Sequence, residues 1–396
     1  MGEANAAGSV ISVGVNLLWL RPGRVGGSED YAVRLLSAIA PDAPVRLTLF
    51  VLPGFAKAHP ALAERHELSV VPQGRGRALR VVMEHTWLAR QCRRRGLSVV
   101  HHLGGTVPWV GARPVVVTVH DIQPLDHPEH FGPIKRRYLR RALPWSVGKA
   151  DAVITVSEFC RRRVIERLDP ADTPVVVMSA PVDLSSGHAE GPLGAVEPDL
   201  DHPFVLYPAV AYPHKNHEVL LRALARLAHD GVDVEVVATG APGPQDTALD
   251  RLATELGVGP RWHRLGRLPR SVLDGLYRQA AAVVFPSRYE GYGLPVVEAM
   301  VRGCPVVAAD AGALPEVVGS GGRLVDPDDQ AGWAEAIGAL VGDADARREW
   351  SEAGRNRVGE LAGGDPAEEL VALYQRVAGG GDRGDGDPVA RREARS

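Results

Sequence analysis

The sequence predicts an α/β protein of two doubly wound domains, each a parallel sheet wrapped by helices. Three observations carry that expectation. Apolar runs of strand length alternate with helical patterns along most of the chain. The runs form two sets, parted near 186–201 by a stretch rich in glycine, proline and acidic residues. The length of 396 residues, 45% of them hydrophobic, suffices for two domains of ordinary size. Strands separated by helices need crossover connections, which make parallel sheets. Ligands of such sheets bind at the C-terminal ends of the strands.

In the first half the runs lie at 10–15, 45–50, 99–101, 115–119, 152–156 and 175–178. After the first run come Gly26 and Gly27, where backbone can approach a ligand closely, and then Ser28, the expected N-cap of a helix over 29–40. His120 and Asp121 end the fourth run, followed by QPLDHPEHF. In that segment His127 and His130 read as structural. The second half repeats the rhythm at 204–207, 234–238, 262–265, 281–285, 306–309 and 323–325. Lys215, in AYPHKNHEVLL, precedes a helix expected to start near 216–218. Arg267 lies in the turn LGRLP, whose Pro269 is placed to begin a helix. A last amphipathic helix is expected over 366–378 through Leu370, Leu373 and Tyr374, with a disordered tail over 379–396.

The densest chemistry runs from Phe285 to Glu316, FPSRYEGYGLPVVEAMVRGCPVVAADAGALPE. A strand leads to the glycine-punctuated loop Glu290-Gly291-Tyr292-Gly293, then to Leu294 and Pro295, which suits the first turn of a helix. Glu298 is expected in that same turn. Two carboxylates eight residues apart would then flank the free N–H groups of a helix N-terminus, which attract phosphate. Carboxylates are poor phosphate ligands but good acceptors for sugar hydroxyls. A nucleotide diphosphate carrying a sugar at each end satisfies both.

Composition bounds the setting. The cysteines, Cys92, Cys160 and Cys304, show neither metal-ligand spacing nor a disulfide framework, which fits a reducing cytoplasm. No metal constellation of Asp or His is evident, and no apolar stretch reaches the length of a membrane span. The net charge of −3 divides into +8 over 1–185 and −11 over the remainder. Basic clusters at 75–80, 93–95, 135–141 and 161–163 suggest an anionic acceptor or peripheral contact with an anionic membrane, against the plainer reading of solvated helix faces. Nothing suggests nucleic acid.

The E-x7-E arrangement of Glu290 and Glu298 resembles that of the retaining glycosyltransferases of family 4, which have the two-domain GT-B fold. The resemblance extends over roughly 8–377. It implies a first domain over 1–185 that binds acceptor, a linker over 186–201, a nucleotide-sugar domain over 202–365, and a last helix crossing back to the first domain. It implies further that Glu290 meets the donor hexose and Glu298 the ribose, that Lys215 binds the phosphates, and that His120 lies beside the reacting face of the sugar. Gly26, Gly27, Asp121, Arg267, Arg288, Gly291, Tyr292, Gly293, Leu294 and Glu316 fill out the donor site. Many relatives carry an Arg at the position of Val210; Arg288 or His214 is the expected substitute.

The function implied is retaining hexosyl transfer, mannose from GDP-mannose first and UDP-sugars next, to a glycan, lipid-linked or small-molecule hydroxyl. Neither cofactor nor metal is expected. The alternatives are a catalytically silent nucleotide-sugar-binding or scaffold protein of this fold, or a nucleotide-sugar epimerase.

Overall fold

The structure is a computed structural model and describes residues 10–23, 26–72, 76–184 and 200–380. It divides into two compact units, 1–181 with 365–396, and 182–364. The linker and tail expected from the sequence lie almost wholly outside the described residues. Among the described residues, no helix is long and apolar enough to cross a membrane.

Among the described residues the first unit holds seven strands: β1 (Ile11–Asn16), β2 (Val45–Val51), β3 (Glu67–Val70), β4 (Val99–His102), β5 (Val115–Val119), β6 (Ala152–Thr155) and β7 (Val175–Val177). They pair in parallel in the order β3-β2-β1-β4-β5-β6-β7. Helices cover both faces, so the central strands are buried throughout and read as continuous apolar runs. The strand β3 escapes the sequence reading because ELSV sits at the sheet edge with a single buried residue. The strand order reverses between β1 and β4, where a doubly wound sheet opens its crevice. The helix Pro366–Ala378 buries Leu370, Leu373 and Tyr374 and packs on β1, β4 and the helix Gly27–Ala38.

That helix starts two residues earlier than expected. Its N-cap is Gly26, at φ 78°, and no side chain caps it, so Ser28 lies inside the helix rather than at its cap.

The second unit holds β8 (Phe204–Pro208), β9 (Glu235–Thr239), β10 (Trp262–Arg264), β11 (Ala282–Phe285), β12 (Val306–Ala309) and β13 (Arg323–Val325). Their order is β10-β9-β8-β11-β12-β13, again all parallel. Here the order reverses between β8 and β11. The helix His217–His229 turns a full apolar face inward, from Val219 to Leu227, and packs against the helix Gln330–Gly342. The two chain segments richest in polar motifs, after β8 and after β11, therefore leave from adjacent strands.

Candidate active site

After β8 the chain forms a 3-10 turn at Pro213–Lys215, and Asn216 takes the left-handed conformation at φ 57° before the next helix. Asparagine tolerates that conformation, and its Nδ2 donates to the Pro327 carbonyl at 2.7 Å. Tyr207 fixes the same turn from below. Its hydroxyl donates to the Lys215 carbonyl at 2.5 Å and lies 3.3 Å from the hydroxyl of fully buried Ser287. Burial holds the Tyr207 phenol well above its usual range, so it remains a donor.

Lys215 is thereby aimed at the chain leaving β11. Its Nζ donates to Glu290 Oε1 at 2.5 Å and sits 5.4 Å from the centre of the Phe285 ring. Both side chains stay in reach of solvent, at 18% and 12% exposure. The sequence named both residues but not their pairing across 75 positions. An ammonium and a carboxylate side by side offer a cation for phosphate oxygens and an acceptor for hydroxyls.

The Glu290 loop is held by close backbone approach. Gly312, at φ 61°, passes so near that a Cβ there would stand 2.8 Å from the Glu290 nitrogen. The Ala313 N–H donates to the Glu290 carbonyl at 3.1 Å. Gly293, at φ 103°, turns the chain into the helix Leu294–Val301, and a Cβ on it would meet Leu314 at 2.8 Å. Because that turn is completed at Gly293, the helix begins at Leu294 and Pro295 is its second residue. Glu298 is then the fifth helical residue, not part of the first turn as the sequence suggested.

Glu298 is also more enclosed than expected. Arg270 Nη1 lies 2.9 Å from its Oε1, and the Tyr277 hydroxyl donates to its Oε2 at 3.4 Å. Arg270 reaches Asp274 at 3.1 Å, and Asp274 in turn pairs with Arg302, whose side chain is wholly buried, at 2.6 Å. Arg302 Nη1 also donates to the Glu298 carbonyl at 2.8 Å. A carboxylate has about four acceptor positions, so capacity for further donors remains. The sequence reading missed Arg270; a cation directly after the LGRLP turn was the available signal.

The other expected donor residues fall into two groups. Gly291 stands beside Glu290, while Tyr292 and Leu294 are buried at 8% exposure each and pack inward. Arg267 is exposed beside Gly266, and Glu316 is half-buried in the short helix Leu314–Val318. The expectation that Arg288 substitutes for a missing cation at Val210 meets a competing partner. Its guanidinium holds exposed Asp328 through Nε at 3.1 Å and Nη2 at 2.5 Å. His214 stacks on Tyr212 with ring centres 5.8 Å apart.

In the first unit His120 ends β5. It packs edge-on to Tyr31 at 5.1 Å, and its Nε2 donates to the Leu103 carbonyl at 2.7 Å. Burial outweighs that hydrogen bond and pushes the imidazole down to about 4, so it is neutral at pH 7 with Nδ1 as acceptor. Asp121 Oδ1 accepts from the Gln123 N–H at 3.0 Å, turning the chain. Glu29, two residues into the helix after Gly27, accepts from the Gly23 N–H at 3.0 Å and from His59 at 3.0 Å. It draws the glycine loop together.

One finding departs from the expected absence of a metal constellation. His127, Glu129 and His130 bring ligand-type atoms within 4.8 Å of one another. They lie in the first unit, apart in sequence from Lys215 and Glu290.

Comparison with known proteins fits this geometry. The family model for glycosyl transferases group 1 matches residues 195–357, and that for glycosyltransferase family 4 matches 25–186. The chain is 33% identical over 328 residues to alpha-maltose-1-phosphate synthase of Mycolicibacterium smegmatis, spanning 76% of this chain and 80% of that protein. The chain belongs to glycosyltransferase family 4. Another family member, O-antigen chain mannosyltransferase B of Escherichia coli, is 34% identical over 235 residues, 57% of this chain and 60% of its own length. The GT-B fold of the family is matched by sucrose-phosphate synthase from Thermosynechococcus elongatus, with a TM-score of 0.75 and 20% identity over 93% of this chain and all of that one.

Proposed function

We propose that the protein transfers a hexose from a nucleotide-diphosphate sugar to an acceptor hydroxyl, with retention at the sugar's anomeric carbon. The observation that carries this reading is the Lys215–Glu290 contact of 2.5 Å where β8 and β11 part. The ammonium there suits the diphosphate, and its pull grows as negative charge builds on the departing phosphate, so it acts on the transition state. Glu290 accepts from hydroxyls of the hexose being transferred, and Glu298, already oriented by Arg270, accepts from the ribose. The family resemblance implies that His120, neutral and with Nδ1 as acceptor, meets a sugar hydroxyl.

On the favoured route the bond from the anomeric carbon to the phosphate oxygen breaks. The bond to the acceptor oxygen forms on the same face, and the acceptor's proton passes to the departing phosphate. No protein nucleophile is needed. The resemblance of the His120 segment and the mannosyltransferase relative favour GDP-mannose, with UDP-sugars next, and a glycan or lipid-linked acceptor. Metal has no part in this scheme. The basic first unit suits work at an anionic membrane surface.

A thermal-shift screen with GDP-, UDP- and dTDP-sugars tests the reading. A donor at one hundred times its dissociation constant adds about 2.7 kcal/mol of stability. No shift with any of them would sink it. The catalytically silent alternative rests on Val210 alone, and release of nucleotide from the stabilising donor, with an acceptor present, would exclude it.

A further inference from the structure

The basic clusters of the first unit prove unlike one another. Arg95 pairs with Glu67, Arg161 with Glu158, and Arg163 with both Asp126 and Glu166. The cluster on the helix Pro133–Lys149 differs. Among the described residues, Arg136, Arg137, Arg140 and Arg141 have no carboxylate partner, and with Pro133 they line a hollow of about 370 Å³.

The helix is amphipathic in an unusual sense. Its inner face buries Ala142, Leu143, Ser146 and Val147. Its outer face carries, at helical spacing, Ile134, Arg137, Arg141 and Trp145, with Tyr138 beside them. Ile134 is 87% exposed, Trp145 41% and Tyr138 38%. The Lys149 ammonium caps the Trp145 ring at 5.7 Å. Tyr138 is hydrogen-bonded to Thr106, and that neighbouring segment presents Trp109 at 57% exposure. Unpaired arginines seek anions, whereas an exposed isoleucine and two tryptophans seek an apolar phase. Both demands are met together at the headgroup boundary of an anionic bilayer.

We propose that the helix Pro133–Lys149 is the docking surface of this protein on an anionic lipid bilayer. Its arginines contact lipid phosphates, and Ile134, Tyr138 and Trp145 enter the interface. This goes beyond a generally basic first unit, because it assigns the contact to one helix and adds an apolar component to it. It is also independent of the transferase reading, since binding is measured without donor or acceptor.

The test is co-sedimentation of the full chain with vesicles of equal parts phosphatidylglycerol and phosphatidylcholine, against phosphatidylcholine alone. Binding is expected to the mixed vesicles only and to weaken with salt. Arg137→Gln with Arg141→Gln is expected to lower partition about fivefold per arginine. Ile134→Ser with Trp145→Ser is expected to lower it as well, leaving binding to heparin unchanged. These side chains are exposed, and circular dichroism checks the fold. The control Arg94→Gln with Arg162→Gln removes the same charge elsewhere on the first unit. Three results would overturn the proposal. One is negligible binding to both vesicle types, and another is a control that loses as much as the helix variant. The third is vesicle binding untouched by the Ile134 and Trp145 changes, which would mark a site for soluble polyanions.

Discussion

The two units order their first six strand positions alike, yet they place opposite chemistry where the order reverses. In the first unit β4 ends in His101 and His102 and His120 follows β5, and burial keeps all three neutral. His101 and His102 are pushed down to about 3, and His120 to about 4. Each has a fixed partner: Tyr374 and Thr118 for His101, Asn16 for His102, Leu103 for His120. In the second unit the segments after β8 and β11 hold ions instead: Lys215 meets Glu290, and Glu298 meets Arg270, which comes from the turn after β10. Topology decides where a site lies; the residues at the strand ends decide what it can hold. Neutral imidazoles suit uncharged hydroxyls, and the ion pairs suit a diphosphate with its sugars.

The contrast breaks most visibly in acid. A buried histidine with a lowered pKa takes up its proton in the unfolded chain first. Its stabilisation is therefore full above pH 6.5 and lost as pH falls toward the folded value. Each such histidine costs about 1.4 kcal/mol per pH unit in that window. Glu84 opposes this, since burial raises it to about 7 and its stabilisation is lost as pH rises from 4.5 toward 7. The first unit sets His101, His102, His120 and His66, also lowered by burial, against Glu84, so on balance it loses stability between pH 6.5 and 4.5. The second unit has His217, lowered to about 4, and should lose less over the same window. Hydrogen exchange resolved by unit measures this; equal losses in both would erase the contrast.

Next in size is Lys215→Ala, expected to lower turnover about a hundredfold or more, near 3 kcal/mol. A folded variant with near-normal turnover would remove Lys215 from the chemistry. The carboxylates then separate within the second unit. Glu298→Gln should weaken sugar nucleotide and free nucleotide alike, by about 1.5–3 kcal/mol. Glu290→Gln should spare free-nucleotide affinity and reduce turnover. Calorimetric titration with the nucleoside diphosphate decides; the opposite pattern reverses the two roles. Smallest is Tyr374→Phe, which strips His101 Nδ1 of its partner and should lower first-unit stability by about 1–2 kcal/mol, read by urea unfolding. An unchanged midpoint would mean that this neutral network adds nothing.

How much of this was legible in the sequence follows from distance along the chain. Central strands were legible because burial on both faces makes them apolar without interruption, and β3 was not because Glu67 and Ser69 break its apolar run. Glu290 and Glu298 were legible as a motif. Their partners were not, since Lys215 and Arg270 lie 75 and 28 residues away and meet them only through the packing of sheet and helices. Ser28 misplaced one helix start by a local capping rule, where Gly26 at positive φ governs instead, and Glu298 falls a residue beyond the first turn in which it was expected although Pro295 lies there. The arginine clusters looked equivalent as sequence because their carboxylate partners are not all neighbours: Arg163 finds Asp126 at a separation of 37.

The hydrogen bond from Tyr374 to His101 joins residues 273 positions apart within one folding unit. On the ribosome, the first sheet emerges and then waits while the whole second unit is made before its covering helix arrives. Until then β1 and β4 lack the apolar side chains that will shield them, so the nascent first unit has apolar surface to hide throughout that interval. A premature stop just after 364 would yield a protein whose second unit can close but whose first unit stays open. Messages truncated late in the reading frame would thus give products marked for removal by their first unit, not by the part they lack.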